Sequence, residues 1–263
     1  MADDRAARSE VSMPAKGICA HRGDIEHAPE STIPAFLVAV DKGAHMLEFD
    51  VWMTLDGALI LMHDGTVDRT TDGSGTIVRM TLDEIKAVDA GIKHGERYRG
   101  TRVPTLAEAL AAPIPPDVWL NIHTRDHGER DEEYIEKLVS DLGQADRVAQ
   151  TCLACFAPQA ELARRRFPDL TICNMTAQSY ALSDYPRVTV ELGAEFLQLV
   201  DPPEGLEDAV TLLHDHGVTI NYFKADEPDD IRRLLEVGVD FVLTDKLDNG
   251  MAVWAGRDWS GMG

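Results

Sequence analysis

Short apolar runs rich in β-branched residues recur along the chain and alternate with stretches whose apolar positions fall at helical spacing. "GICAHRG" precedes "STIPAFLVAVDKG", and "MLEFDVWMT" follows. "VWLNIHTR" leads into "ERDEEYIEKLVSDLG", and "VAQTCLACF" into "PQAELARRRFP". Then come "LTICNMT", "EFLQLVD" with "GLEDAVTLLHDHG", "TINYFKAD" with "EPDDIRRLLEVG", and finally "DFVLTD". Eight strands alternating with helices predict an α/β protein whose parallel sheet closes into a (β/α)8 TIM barrel. No G-x-G-x-x-G follows the first strand, which counts against a dinucleotide fold. Ser31 or Thr32 before Pro34 predicts the start of the first helix, and Gly43 its end.

One connection breaks the alternation. Some fifty residues separate "MLEFDVWMT" from the helix signal "TLAEALAA", opening with a tight turn at "LDG" and a returning strand, "ALILMHD". Residues 65–103 are rich in Gly, Asp and Thr and carry one short helix signal. Barrels keep their sites on the loops that follow strand ends, so this segment reads as an insertion after strand two, over the barrel mouth. Residues 1–16 read as a flexible tail, and 17–263 as a single barrel domain.

Charge narrows the partners. Among 263 residues, 25 Lys and Arg stand against 46 Asp and Glu, a formal net charge of −21. Such a surface repels nucleic acid and anionic lipid, yet a small anion held by a few convergent cations remains compatible with it. Cys152 and Cys155 form a C-x-x-C, but no second pair exists and the stretch reads as a strand, so redox or zinc duty is the weaker reading. No apolar run reaches the length of a membrane span, and the first sixteen residues lack the apolar stretch of a signal peptide. A cytoplasmic enzyme is the expectation; a secreted one whose leader was removed would read the same. Oligomeric state is not legible.

In a barrel, side chains at the C-terminal ends of strands surround one pocket. His21 and Arg22 end strand one; Glu48 and Asp50, two apart, share a face of strand two; His63 ends the returning strand. His123 and Arg125 end strand three and project to one side, and Lys224 lies near the end of strand seven. Singly, each reads as readily as a hydrogen-bonded histidine, a solvated carboxylate or a surface ion pair. Together they are more charge than stability alone would gather at one mouth.

"AHRGDIEHAPEST", "LEFDVWMTLDGALILMHDGTVDRTTDGSG" and "VPTLAEAL" resemble the glycerophosphodiester phosphodiesterase family, within the phosphatidylinositol-phospholipase-C-like barrel group, and the likeness extends over nearly residues 17–248. The resemblance implies a barrel with an insertion after strand two, one divalent metal ion (Mg²⁺ or Ca²⁺), and hydrolysis of a small phosphodiester to an alcohol and a phosphomonoester. It further implies that His21 and His63 are the acid–base pair, Arg22 a phosphate ligand, Glu48 and Asp50 metal ligands, and Glu30 a supporting residue. Two departures stand out. Family members usually carry Glu-Ile-Lys where this chain has His123-Thr124-Arg125, and Trp-Thr where it has Phe223-Lys224. His123 could keep the ligand role as a neutral imidazole, tilting preference towards Mn²⁺, Co²⁺, Zn²⁺ or Fe²⁺. Otherwise the ion is held weakly by Glu48 and Asp50 with water, or none binds. Arg125 keeps the cation that Lys would supply and can grip two phosphate oxygens, with Lys224 a further phosphate ligand. Beside the glycerophosphodiester reading stand a sugar or lysolipid phosphodiester, also by a lyase route, and a non-catalytic phosphate-binding barrel.

Overall fold

The computed structural model describes residues 14–175, 184–200 and 205–257. Its strands are β1 (Gly17–His21), β2 (Met46–Met53), β3 (Leu59–Leu61), β4 (Trp119–His123), β5 (Thr151–Cys155), β6 (Thr171–Asn174), β7 (Phe196–Val200), β8 (Thr219–Phe223) and β9 (Phe241–Thr244). The sheet runs β1-β9-β8-β7-β6-β5-β4-β2, and β2 pairs with β1, so eight parallel strands close into the expected barrel. β3 pairs antiparallel with the far end of β2, Val51 opposite Leu61 and Met53 opposite Leu59. This is the returning strand.

The outer layer is α1 (Ile33–Asp41), α2 (Leu82–Ala87), α3 (Leu106–Leu110), α4 (Asp131–Gln144), α5 (Ala157–Arg166), α6 (Tyr185–Glu191), α7 (Leu206–Asp215), α8 (Pro228–Val237) and α9 (Leu247–Ala255). Helix α1 starts as its sequence suggests: the Thr32 hydroxyl accepts from the Ala35 N–H, and Pro34 sits in the first turn, where no N–H is needed. Thr81 with Glu84 and Thr105 with Glu108 form reciprocal caps on α2 and α3. Helices α6 and α9 lack a comparable signal. β-branched Val188, Thr189 and Val190 weaken the intrinsic preference of α6, and Asn249 and Gly250 that of α9. Packing supplies what propensity lacks: a Cβ at Gly250 would lie 2.8 Å from Ile18 Cγ2, so glycine lets α9 settle against β1.

Period-two alternation sorts the strand residues. Cys19, Met46, Trp119, Cys152, Cys173, Phe196 and Phe241 fill the barrel interior. Two residues beyond Met46, Trp119 and Phe196 stand Glu48, Asn121 and Gln198, with Asn221 of β8 in register beside Gln198, and beyond them the mouth. The C-x-x-C is divided by the same rule. Cys152 lies in the interior cluster and Cys155 in the layer between barrel and helices, so the two buried thiols face opposite sides of the strand. Residues 65–103 share a separate apolar cluster with the returning strand: Val67, Ile77, Ile85, Ala90 and Val103 pack with Ile60, Met62 and Trp52. Of the expected tail, residues 1–13 lie outside the described residues, while Lys16 is 6% exposed and its ammonium approaches the Leu235 carbonyl.

Candidate active site

β1 ends at His21, and the chain turns at once. Arg22 and Gly23 both take left-handed backbone, φ 58° and 84°. A Cβ at Gly23 would stand 2.8 Å from the Ala35 carbonyl carbon, so the close approach to α1 as well as the angle demands glycine. The turn aims the Arg22 N–H at Glu48, donating to its carbonyl at 2.9 Å and to Oε2 at 3.1 Å.

The two candidate acid–base histidines are each held through Nδ1 by an aspartate. His21 Nδ1 lies 2.5 Å from Asp245 Oδ1, its Nε2 is 3.8 Å from Glu48 Oε2, and its ring meets Phe223 edge-on at 5.1 Å. Burial works against the Asp245 charge, but hydrogen bonds from His21 and Lys224 outweigh it and hold the carboxyl well below the usual range. His63 Nδ1 lies 2.7 Å from Asp64 Oδ1, and Arg69 Nε donates to Asp64 Oδ2 at 2.6 Å. Burial again opposes, and Arg69 and His63 prevail, holding Asp64 at about 2. Arg69 also grips both Glu30 oxygens, at 2.6 and 2.7 Å, and Glu30 accepts from Arg22 Nη1 at 3.2 Å. A continuous chain His63–Asp64–Arg69–Glu30–Arg22 therefore ties the insertion to the end of β1.

Strand register brings the remaining donors together: His21 is opposite Glu48, and Asp50 opposite His123. One donor atom each from Glu48, Asp50 and His123 lies within 4.8 Å of the others, all three buried. His123 Nδ1 is 3.2 Å from Glu48 Oε1 and 3.8 Å from Asp50 Oδ1, and its Nε2 is 3.0 Å from Gln198 Oε1. Burial pushes Glu48 well above the carboxylate range, with Asp50 adding repulsion, while burial pushes His123 down to about 4. Glu48 Oε1 and Asp50 Oδ2 are buried without a hydrogen-bond partner. Two such oxygens beside a neutral imidazole fit a divalent cation, because a positive charge relieves both carboxylates at once and the nitrogen supplies a lone pair.

The three expected phosphate cations sit at this mouth, each against a carboxylate. Arg22 faces Glu30, Arg125 pairs with Asp50 while its guanidinium lies 6.0 Å from the Trp52 ring centre, and Lys224 pairs with Asp245 and, at 3.2 Å, Asp226. Sequence reasoning passed over Asp245, Arg69 and Gln198. Asp245 closes "DFVLTD" and was findable by the strand-end rule that found the others. Arg69 lies in an irregular segment with no period to read.

The family model described as "Glycerophosphoryl diester phosphodiesterase family" matches residues 21–249. The chain belongs to this family. A glycerophosphodiester phosphodiesterase of Caldanaerobacter subterraneus subsp. tengcongensis is 31% identical over 242 residues, covering 87% of this chain and 93% of that protein. Among solved structures, a phosphodiesterase of Oleispira antarctica, in complex with the product sn-glycerol-3-phosphate, aligns with TM-score 0.76 and 25% identity, over 91% of this chain and 95% of that one. The fold also matches that of a protein of Silicibacter pomeroyi at TM-score 0.80 and 23% identity, covering 95% and 97% of the two chains. Like other members of the glycerophosphodiester phosphodiesterase family, the protein is a phosphoric diester hydrolase. Among the described residues no helix is long and apolar enough to cross a membrane.

Proposed function

We propose that the protein hydrolyses a small glycerophosphodiester to an alcohol and a phosphomonoester, with one divalent ion held by Glu48, Asp50 and His123 and with His21 and His63 as acid and base. The observation that carries this reading is the buried convergence of two carboxylates and an imidazole beside a histidine anchored by Asp245. The ion supplies Lewis-acid stabilisation of the charge that develops on the phosphoryl oxygens. A neutral nitrogen in place of a third carboxylate favours Mn²⁺, Co²⁺ or Zn²⁺ over Mg²⁺ or Ca²⁺.

The chain's own groups do the rest. Arg22, whose buried Nε has no protein partner, binds a non-bridging oxygen of the diester. Arg125 and Lys224 complete the cationic side of the mouth and offset the diester's negative charge. Each histidine is oriented at Nδ1 by its aspartate and presents Nε2 to the substrate. One removes a proton from the attacking oxygen and the other delivers a proton to the leaving alkoxide. Glu30 keeps Arg22 and Arg69 in place.

The test is a panel of glycerophosphodiester, lysophospholipid and sugar phosphodiester substrates, assayed after chelation and with each metal restored. Release of glycerol phosphate, abolished by chelation and restored better by Mn²⁺ than by Mg²⁺, is expected. Full turnover in the chelated protein would remove the metal from the proposal.

A further inference from the structure

His123 stands at the top of β4 and reaches across the barrel lumen to β7, where Gln198 meets its Nε2 at 3.0 Å. Gln198 is paired in register with Asn221 of β8, whose Nδ2 donates to the same Gln198 Oε1 at 3.2 Å. All three side chains are buried, and neither Gln198 nor Asn221 has a place in the chemistry above.

We infer that Gln198 is a positioning residue that keeps the proton of His123 on Nε2 and so turns the Nδ1 lone pair towards the cation site. The inference rests on the metal reading given under Proposed function. A neutral imidazole carries one N–H, and its placement is set by the acceptor that the other side of the ring meets. The Gln198 carbonyl oxygen is such an acceptor, and the Asn221 amide, donating to that same oxygen, holds the carbonyl rather than the amide nitrogen towards the ring. With Nε2 as donor, Nδ1 faces Glu48 Oε1 and Asp50 Oδ1 lone pair to lone pair, at 3.2 and 3.8 Å. That accounts for Glu48 Oε1 lacking a hydrogen-bond partner although an imidazole nitrogen stands so near it. The Nδ1 lone pair and Glu48 Oε1 then face each other with no N–H between them, and a cation relieves both.

Charge explains why the acceptor is an amide. A glutamate at 198 would also fix the ring and make it more basic, but it would add a third carboxylate to a dry interior where Glu48 and Asp50 already repel each other. A glutamine orients the imidazole without that cost. The opposite tautomer gives an opposite site: a proton on Nδ1 would donate to Glu48 Oε1, and the imidazole would then take the place of an ion instead of binding one.

Two measurements test this. In ¹⁵N-histidine-labelled wild-type protein, the His123 resonances should show the proton on Nε2 before metal is added; a proton on Nδ1 overturns the inference and requires no variant to fold. Calorimetric titration with Mn²⁺ should show Gln198→Leu binding about 10- to 100-fold more weakly than wild type, the range for loss of a partner behind a metal-binding histidine. Gln198→Glu, which keeps an acceptor, should bind Mn²⁺ at least as tightly as wild type. Equal Mn²⁺ affinity in wild type and a folded Gln198→Leu overturns the inference alone. A wild-type protein that binds neither Mn²⁺ nor Zn²⁺ overturns the metal reading together with it.

Discussion

Among the described residues two groups offer the same donors, two carboxylates and one imidazole, and only one of them fits a metal. Glu48, Asp50 and His123 are buried in the barrel mouth; Asp24, His27 and Asp248 cluster at the surface beside α1 and α9, where only Asp24 is buried. In the surface group Lys42 already supplies the cation, its ammonium 2.6 Å from Asp24 and 2.5 Å from Asp248, while His27 accompanies Asp24 at 3.0 Å. The ammonium meets both carboxylates, and Asp248 also faces solvent. In the mouth Arg125 reaches Asp50, but Glu48 Oε1 and Asp50 Oδ2 remain buried and unpartnered. Donor type is therefore a poor guide to a metal site. Burial, and charge left uncompensated by the protein's own side chains, separates the two.

The comparison can be broken or sharpened by experiment. The largest effect is expected at the histidines: His21→Ala and His63→Ala should each lower kcat by about 10²- to 10⁴-fold with unchanged circular dichroism. Near-normal turnover in both would end their assignment as acid and base. Next, Asp50→Asn should weaken Mn²⁺ binding at least about 100-fold by calorimetry, because it removes an ion ligand outright where loss of a partner behind a ligand already costs 10- to 100-fold. Retained binding would make the mouth no more of a metal site than the surface group.

A smaller effect concerns pH. Asp64 is held at about 2, below an ordinary value near 3.9. A depressed carboxyl contributes stability above its unfolded value and loses it as pH falls through its folded value, so this contribution fades between about pH 4 and pH 2. The melting temperature of Asp64→Asn should accordingly fall less steeply over that window than that of wild type, and parallel curves would deny the Arg69–Asp64–His63 link. The smallest effect is predicted at the surface group, where Asp248→Asn should leave Mn²⁺ affinity and turnover unchanged and alter stability by no more than about 1 kcal/mol, the range of exposed ion pairs. A loss of ion binding in that variant would reverse the ranking of the two groups.

Several features were legible before any coordinates. Thr32 with Pro34 is a local signal, because a cap and its helix lie within four residues. Glu48 and Asp50 could be put on one face because strand period is a property of the chain itself. Helices α6 and α9 escaped the same reading because the β-branched run of α6 and the Asn and Gly of α9 argue against a helix, and only the barrel wall they cover overrules them. The pairings of Asp245 with His21 and of Gln198 with His123 were unreadable for a different reason: the partners lie 224 and 75 residues apart. No local pattern joins such partners.

The barrel and the family were written in consecutive residues, as alternation and motif spacing. Tertiary structure alone decided which nitrogen each histidine turns to its partner, which carboxylates already have a cation, and that Cys152 and Cys155 face opposite sides of the wall. Those outcomes depend on closure, which sets distant strand ends side by side in a space too dry to leave charges unpaired at no cost.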